Sequence, residues 1–70
     1  MKGKTMNYDY DESLTFAAAE CIDAYLMGGK AAADKLHDSE AVRIANAFEL
    51  DGRGQNDTHI LISERIEELA

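Results

Sequence analysis

The chain has 70 residues and a formal net charge of −7 at pH 7, from 14 acidic and 7 basic residues. This length predicts a single domain over residues 1–70, whose folding buries only about 60% of the surface of the unfolded chain. The chain lacks the net positive charge with which simple nucleic-acid binders and proteins of anionic membranes gain affinity. The composition therefore favours a basic protein partner, or solubility alone, over direct nucleic-acid or membrane binding.

The single cysteine, Cys21, excludes an intrachain disulfide and fits a reducing compartment. Its apolar neighbours at helical spacing predict a small core residue and not a nucleophile. No apolar run is long enough to span a membrane. The N-terminal stretch MKGKTMNYDYDE has two lysines but no apolar run after them, unlike a secretory signal. We therefore expect a cytoplasmic protein.

The N-terminal half of the chain predicts a flexible arm followed by one long helix. Residues 1–8 are expected to form the arm. Asp11 or a neighbouring acid can cap the helix, with Glu12 in its first turn, where the helix dipole favours anions. The helix is expected to run to about Met27 and to stop at Gly28-Gly29, because glycine adopts the left-handed C-terminal conformation without a steric penalty.

The second half predicts shorter elements. Residues 30–37 (KAAADKLH) form a short helix, and Asp38 or Ser39 caps a third helix that ends near Leu50. The third helix has an apolar stripe at offsets of three and four residues, made of Ala41, Ile44, Ala45 and Phe48.

The composition of residues 51–57 (DGRGQND) predicts a loop. The last segment has two interpretations. Ile62, Ile66 and Leu69 share a helical face that Asp57 could cap, whereas the β-branched residues 58–62 could form a short strand paired with the arm around residues 6–10. We expect an all-α fold, a small bundle of three to four short helices, with an α+β fold containing that strand as the alternative.

Metal, phosphate and catalytic sites have weak support. Asn7-x-Asp9-x-Asp11 resembles the start of a calcium loop, but Glu12 stands where the loop requires glycine and Ala18 where it requires a bidentate glutamate. The zinc-ligand types, Cys21, His37 and His59, show no paired spacing, and Gly52-Arg53-Gly54 lacks the strand, third glycine and helix of a phosphate cradle. No Ser/His/Asp or Cys/His arrangement can be argued from spacing, so we expect no enzyme, no cofactor and no metal.

Residues 29–48 contain two predicted short helices joined by a turn, as a helix-turn-helix does. Ala33 fits the small residue of the first helix, but His37 stands at the glycine of the turn and Arg43 at an apolar packing position. Arg43 and Asn46 could contact bases, whereas Glu40 and Glu49 would lie near phosphates. A dimeric DNA-binding regulator therefore stays an alternative.

The first helix carries an unusual face. At 100° per residue, one third of its circumference is the expected core face, with Leu14, Ala18, Cys21, Ile22 and Tyr25. The opposite side places two large apolar side chains in line with acids: Glu12, Phe16, Glu20, Asp23 and Met27. Between Thr5 and Gly29 there are five acids and no base. Aromatic residues and methionine are enriched in interface centres, and charges at their rims. In a compact bundle, Phe16 could instead be buried under the arm or a neighbouring helix, and Met27 could pack at the helix end. If it is exposed, the face predicts a protein-binding site made of Asp9, Asp11, Glu12, Phe16, Glu20, Asp23 and Met27.

In size and charge the chain is similar to the small acidic inhibitors that phages make against host nucleic-acid machinery, including anti-CRISPR and DNA-mimic proteins. That resemblance implies a partner with a basic, nucleic-acid-binding surface, in the host cytoplasm if a phage encodes the protein. Our leading hypothesis is a small all-α inhibitor of this kind. The alternatives are the helix-turn-helix regulator and a homo-oligomeric module, since a two-fold dimer could bury Phe16 and Met27 against their own copies.

Overall fold

The protein is described by a computed structural model over residues 9–70, and every described element is an α-helix. Helix α1 spans Tyr10–Ala47 and helix α2 spans Gly52–Leu69. The all-α class is confirmed, whereas the expected number of three to four helices is wrong. The α+β alternative is also wrong for the described residues, because residues 58–62 are helical. The predicted arm, residues 1–8, lies outside the described part of the chain.

Helix α1 is folded back on itself at Gly29. A straight helix of 38 residues would be about 57 Å long, yet the longest dimension of the molecule is 38 Å. The rings of Tyr10 and Phe48, at the two ends of α1, lie 5.5 Å apart. Gly29 has φ +82° and ψ −172°, a non-helical conformation inside α1. The predicted glycine stop is thus a sharp bend between a first segment, residues 10–28, and a second segment, residues 30–47.

The start of α1 is fixed by a capping box. The Asp9 carboxylate accepts a hydrogen bond from the Glu12 backbone N–H at 2.8 Å, and the Glu12 carboxylate accepts one from the Asp9 N–H at 3.1 Å. These bonds satisfy two N–H groups that a helix start otherwise leaves without partners. The cap is therefore Asp9, two residues before the predicted Asp11.

The second segment runs without interruption through the predicted helix start at Asp38 and Ser39. That prediction was wrong because no glycine or proline lies between Lys30 and Ala47, and short polar residues are tolerated on an exposed helix side. The helix ends with a Schellman motif: Leu50 N–H donates to the Ala45 carbonyl at 2.8 Å and Glu49 N–H to the Asn46 carbonyl at 3.1 Å. The helix-turn-helix predicted between residues 29 and 48 is consequently not formed, since its turn is helical.

Helix α2 includes most of the predicted loop 51–57. Asp51 caps it by accepting a hydrogen bond from Gly54 N–H at 2.9 Å. Thr58 and Ile62, four residues apart, are its buried residues, and Thr58 Oγ1 donates to the Gly54 carbonyl at 2.7 Å. Two glycines and five polar residues indicated a loop, but one good cap and tertiary burial of Thr58 extend the helix to Gly52. The predicted cap Asp57 lies inside the helix.

The core is small and is shared by the two segments of α1 and by α2. Its buried apolar residues are Leu14, Ala17, Ala18, Cys21, Ala41, Ile44, Ala45 and Ile62. The predicted burial of Leu14, Ala18 and Cys21 is confirmed, and Ile22 is half-buried. Tyr25 was expected in the core but is 56% exposed, because it lies at the bend end, where the bundle opens. In the part of the chain that is described, neither helix has an apolar stretch of the length needed to cross a bilayer.

Candidate protein-binding face

The predicted binding face has an exposed central part, which we call the acidic stripe: Phe16, Glu20, Asp23 and Met27. All four lie on the first segment and are exposed. Met27 is 89% exposed and Phe16 is 48% exposed. From Phe16 to Met27 the stripe extends about 16 Å along the helix axis. The structure therefore presents two large apolar side chains and two acids on one helix side, as the 100° spacing predicted.

Three of the other predicted site residues are engaged within the protein. Asp9 and Glu12 form the capping box. Asp11 accepts a hydrogen bond from Arg65 of α2 at 2.7 Å, in an ion pair that also raises the pKa of the Arg65 guanidinium. Arg65 additionally donates to the Thr15 hydroxyl and lies 3.2 Å from the Glu68 carboxylate. The charge of Asp11 is therefore neutralised at short range, and this residue adds less to the face than the sequence indicated.

The Glu20 carboxyl group interacts with the buried carboxylate of Glu40. In the regulator alternative, the sequence had placed Glu40 near DNA phosphates. Glu40 is 7% exposed, and both of its oxygens accept hydrogen bonds from Arg43, at 2.9 Å from Nε and 2.7 Å from an Nη atom. The hydrogen bond from Arg43 lowers the pKa of Glu40. Partial burial, and next the hydrogen bond with Glu40, raise the pKa of Glu20. Glu20 is consequently the first of the two carboxylates to take up a proton as the pH falls.

Asp23 and Met27 are the two residues of the acidic stripe that have no structural role within residues 9–70. Neither has a side-chain hydrogen bond or ion pair with a described residue. An exposed methionine beside a carboxylate without a cationic partner does not stabilise the folded state of this chain. Both side chains are therefore exposed and make no hydrogen bond or ion pair with any of residues 9–70.

A second polar cluster, the histidine clip, was missed in the sequence. The rings of His37 and His59 stack with centroids 3.8 Å apart. His37 Nε2 lies 2.8 Å from the His59 carbonyl oxygen and 3.3 Å from Ser63 Oγ, while His59 Nε2 lies 2.8 Å from Asp38 Oδ1. The pairing joins residues more than 20 positions apart, and only the register of α2 on the second segment creates it. No spacing in the sequence could have shown it.

The histidine clip does not position a base for Ser63. A carbonyl oxygen only accepts hydrogen bonds, so His37 Nε2 carries the proton and donates it to His59. A nitrogen that already carries a proton cannot take one from the Ser63 hydroxyl. In this arrangement the clip fastens α2 to the second segment.

The metal sites weighed in the sequence have no counterpart in the described residues. No group of three or more histidine, cysteine, aspartate or glutamate side chains there could hold an ion. Of the calcium-like motif, Asn7 lies outside the described residues and Asp9 is the helix cap. Cys21 is buried in the core, and burial raises the pKa of its thiol, which keeps it protonated and unreactive.

One of the two residues expected to contact bases in the regulator alternative, Arg43, is held by a neighbour. Arg43 makes two hydrogen bonds to Glu40, and this pair raises the pKa of the guanidinium. Its charge is therefore compensated one turn away on the same helix.

Comparison with known proteins gives no relative from which a site could be transferred. The chain has no significant match to a protein-family model, a curated protein or a solved structure. The function of the protein is therefore inferred from its own sequence and geometry.

Proposed function

We propose that the protein is a small acidic inhibitor that binds a basic, nucleic-acid-binding surface of a partner protein through the acidic stripe. The observation that carries this proposal is the exposure of Met27, at 89%, in line with Asp23 and Glu20 on the first segment. Exposed apolar side chains framed by charge are typical of interface centres and rims. The protein is proposed to act in the cytoplasm, that of the host if a phage encodes it, as anti-CRISPR and DNA-mimic proteins do.

The charge distribution supports a basic partner. Residues 5–29 carry five acids and no base, while the remaining nine acids are mixed with five bases. The exposed Glu20 and Asp23 of the first segment would steer a cationic surface toward the stripe. Grooves that bind phosphates present such cationic surfaces, because their lysine and arginine side chains replace counterions on nucleic acid. An acidic protein bound in such a groove competes with nucleic acid for the same lysine and arginine side chains.

The partner can be sought by affinity recovery with matched variants. We expect the tagged full chain to recover a nucleic-acid-binding protein from nuclease-treated host lysate at low salt, and to recover less at high salt, since screening weakens contacts between exposed charges. Asp23→Lys should lose that protein, because it reverses the charge at the centre of the stripe. Glu64→Lys makes the same charge change at an exposed position of α2.

Equal recovery by native protein, Asp23→Lys and Glu64→Lys would contradict the proposed site. Equal loss in both variants would show that net charge alone matters and not the stripe. Recovery by the native chain and Glu64→Lys only would support the stripe as the contact surface.

A further inference from the structure

Both histidines of the chain meet in the histidine clip, between the second segment and α2. Their rings are nearly parallel, with an angle of 5° between the ring planes, and their centroids lie 3.8 Å apart. Histidine is the side chain whose charge ordinarily changes between about pH 5 and 8. The protein thus stacks its two histidine rings face to face, where each ring is sensitive to the charge of the other.

The hydrogen bonds of the clip determine which nitrogen of each ring carries the proton. His37 Nε2 lies 2.8 Å from the His59 carbonyl oxygen, which only accepts hydrogen bonds. His59 Nε2 lies 2.8 Å from Asp38 Oδ1, and a carboxylate oxygen also only accepts. Each ring therefore carries its proton on Nε2, and Nδ1 is the nitrogen that gains a proton in acid.

The clip contains one anion for two rings that can each become a cation. From the second segment, the Asp38 carboxylate contacts His59, and from α2 the uncharged Ser63 hydroxyl lies 3.3 Å from His37 Nε2. The first segment makes no hydrogen bond or ion pair with either ring among residues 9–70. A first proton taken up on His59 is therefore paired with Asp38, whereas a second proton on His37 has no anion in contact.

The neighbouring residues on the two helices do not supply that second anion. Asp34 and Glu40, each three residues from His37, form ion pairs with Lys30 and Arg43 at 2.7 Å. On α2 the residues three and four positions from His59 are uncharged: Gln55, Asn56, Ile62 and Ser63. Protonation of both rings therefore places two like charges in contact with a single free carboxylate beside them.

We propose that the histidine clip is an acid-opened latch, which holds α2 on the second segment while at most one ring is charged and releases α2 when both rings are protonated. Like charges a few ångströms apart repel each other strongly, so two stacked imidazolium rings separate. His37 also binds the backbone carbonyl of His59, and this bond connects the ring charges to the position of α2 itself. The latch lies away from the acidic stripe of the first segment and needs no partner protein.

The direction of the pH dependence follows from the number of protons bound. The closed latch binds at most one additional proton, whereas the open latch binds two in acid. Opening therefore takes up a proton, and its equilibrium constant rises by up to about tenfold for each pH unit below the ordinary histidine range. The sign is opposite to that of Glu20, whose protonation favours the folded protein because its folded-state pKa is raised.

The proposal is tested by amide hydrogen exchange of the full chain at about pH 7.5 and about pH 5.5, on either side of the ordinary histidine value of about 6.5. Rates are corrected for the intrinsic pH dependence of exchange. In the native chain, the protection of α2 amides falls by about tenfold at the lower pH, and that of the first segment is retained. Unchanged protection of α2 overturns the proposal. Equal loss in the first segment also overturns it, since the whole protein then opens and not the latch.

His37→Gln is the decisive variant, because the glutamine amide retains a neutral N–H donor for the His59 carbonyl and cannot become a cation. Its α2 amides keep the same protection at both pH values. Ser63→Ala is the matched control, since it removes a polar contact of His37 without a change of charge, and it responds to pH like the native chain. A loss of protection in His37→Gln equal to that of the native chain contradicts the proposed role of the ring charges.

Asp38→Asn supplies an independent test of the charge balance. Asparagine keeps an oxygen that accepts the His59 hydrogen bond but removes the anion that compensates the first proton. The latch of this variant therefore opens at a higher pH than that of the native chain. The nuclear Overhauser effect between the ring protons of His37 and His59 reports the closed latch during a pH titration. Loss of this signal at the same pH in both proteins contradicts the proposal.

Discussion

At the scale of single residues, the unusual group is the buried carboxylate of Glu40. A buried charge is tolerated when it is paired and hydrogen-bonded. Arg43 meets that condition with two hydrogen bonds, and Glu20 supplies a further contact from the first segment. The two carboxyl groups oppose each other when both are ionised. Ionisation of the Glu20 carboxyl group is therefore less favourable in the folded protein than in the unfolded chain.

This arrangement has a defined dependence on pH. Because the folded-state pKa of Glu20 is raised above its ordinary value of 4.5, its contribution favours folding below that value and is lost as the pH rises through the raised pKa. Glu40 has the opposite sign, since its lowered pKa gives stability that is lost only as the pH falls through that lower value. Glu20→Gln removes the first effect and retains a donor toward Glu40.

We expect Glu20→Gln to be more stable than the native chain at neutral pH, by less than about 1 kcal/mol because the site is exposed and screened. The difference should close as the pH falls toward the ordinary glutamate value. Urea unfolding at a series of pH values measures it. Glu64→Gln, at an exposed position of α2, is the control and should match the native chain. A Glu20→Gln protein that is less stable at neutral pH would show that the Glu20 charge is favourable.

At the scale of elements, the bend at Gly29 decides the architecture. It brings the first segment against the second, so that Leu14 and Cys21 share a core with Ala41 and Ile44. A φ of +82° with extended ψ is accessible to glycine and strained for any residue with a Cβ. No atom lies within 4 Å of a Cβ built at Gly29. The cost of a substitution there is therefore a backbone cost and not a steric one.

We expect Gly29→Ala to destabilise the protein by roughly 1–3 kcal/mol, from backbone strain. Gly52→Ala is the matched control, because it also has no atom within 4 Å and begins α2 without a positive φ. It should be neutral or stabilising by up to about 1 kcal/mol, through lower entropy of the unfolded chain. Thermal unfolding of both variants gives the comparison. Equal stability of the two would mean that the chain reverses without the strained conformation at Gly29.

The sequence predicted the chain reversal correctly, but it placed a helix start and a loop where the structure has continuous helix. The glycine pair is a local signal, and it marked the chain reversal correctly. The polar residues Asp38 and Ser39 also resemble a local start signal, but uninterrupted packing of the second segment on its neighbours overrides it. Likewise, Gly52 and Gly54 indicated a loop, whereas the Asp51 cap and the burial of Thr58 make that stretch helical. Propensity is a weak guide where tertiary contacts decide.

Some features of the candidate site could likewise be predicted from the sequence, and others could not. Helical periodicity predicted that Phe16, Asp23 and Met27 share one side of the helix, because this depends only on spacing along one helix. It left open whether Phe16 and Met27 are exposed or buried, since that depends on how the other segments pack. The ion pair of Asp11 with Arg65 and the link of Glu20 to Glu40 depend on how distant segments meet. No pattern in the sequence contains that register. The same holds for Tyr25, whose exposure follows from the position of the bend.

At the scale of the whole molecule, the charge is arranged in two zones. The first segment carries four acids and no base, while residues 30–70 carry nine acids and five bases. Binding of a cationic partner at the stripe should therefore weaken as salt is added, because salt screens exposed charges.

The central claim, binding of a basic surface by the acidic stripe, is tested most directly by displacement of nucleic acid. The partner recovered with the native chain is loaded with a fluorescent oligonucleotide, and anisotropy is followed as native protein, Asp23→Lys or Glu64→Lys is added. We expect the native chain and Glu64→Lys to release the oligonucleotide, and Asp23→Lys to release at least tenfold less at equal concentration, a difference of about 1.4 kcal/mol. Equal release by all three proteins, or no release by the native chain, would contradict the account.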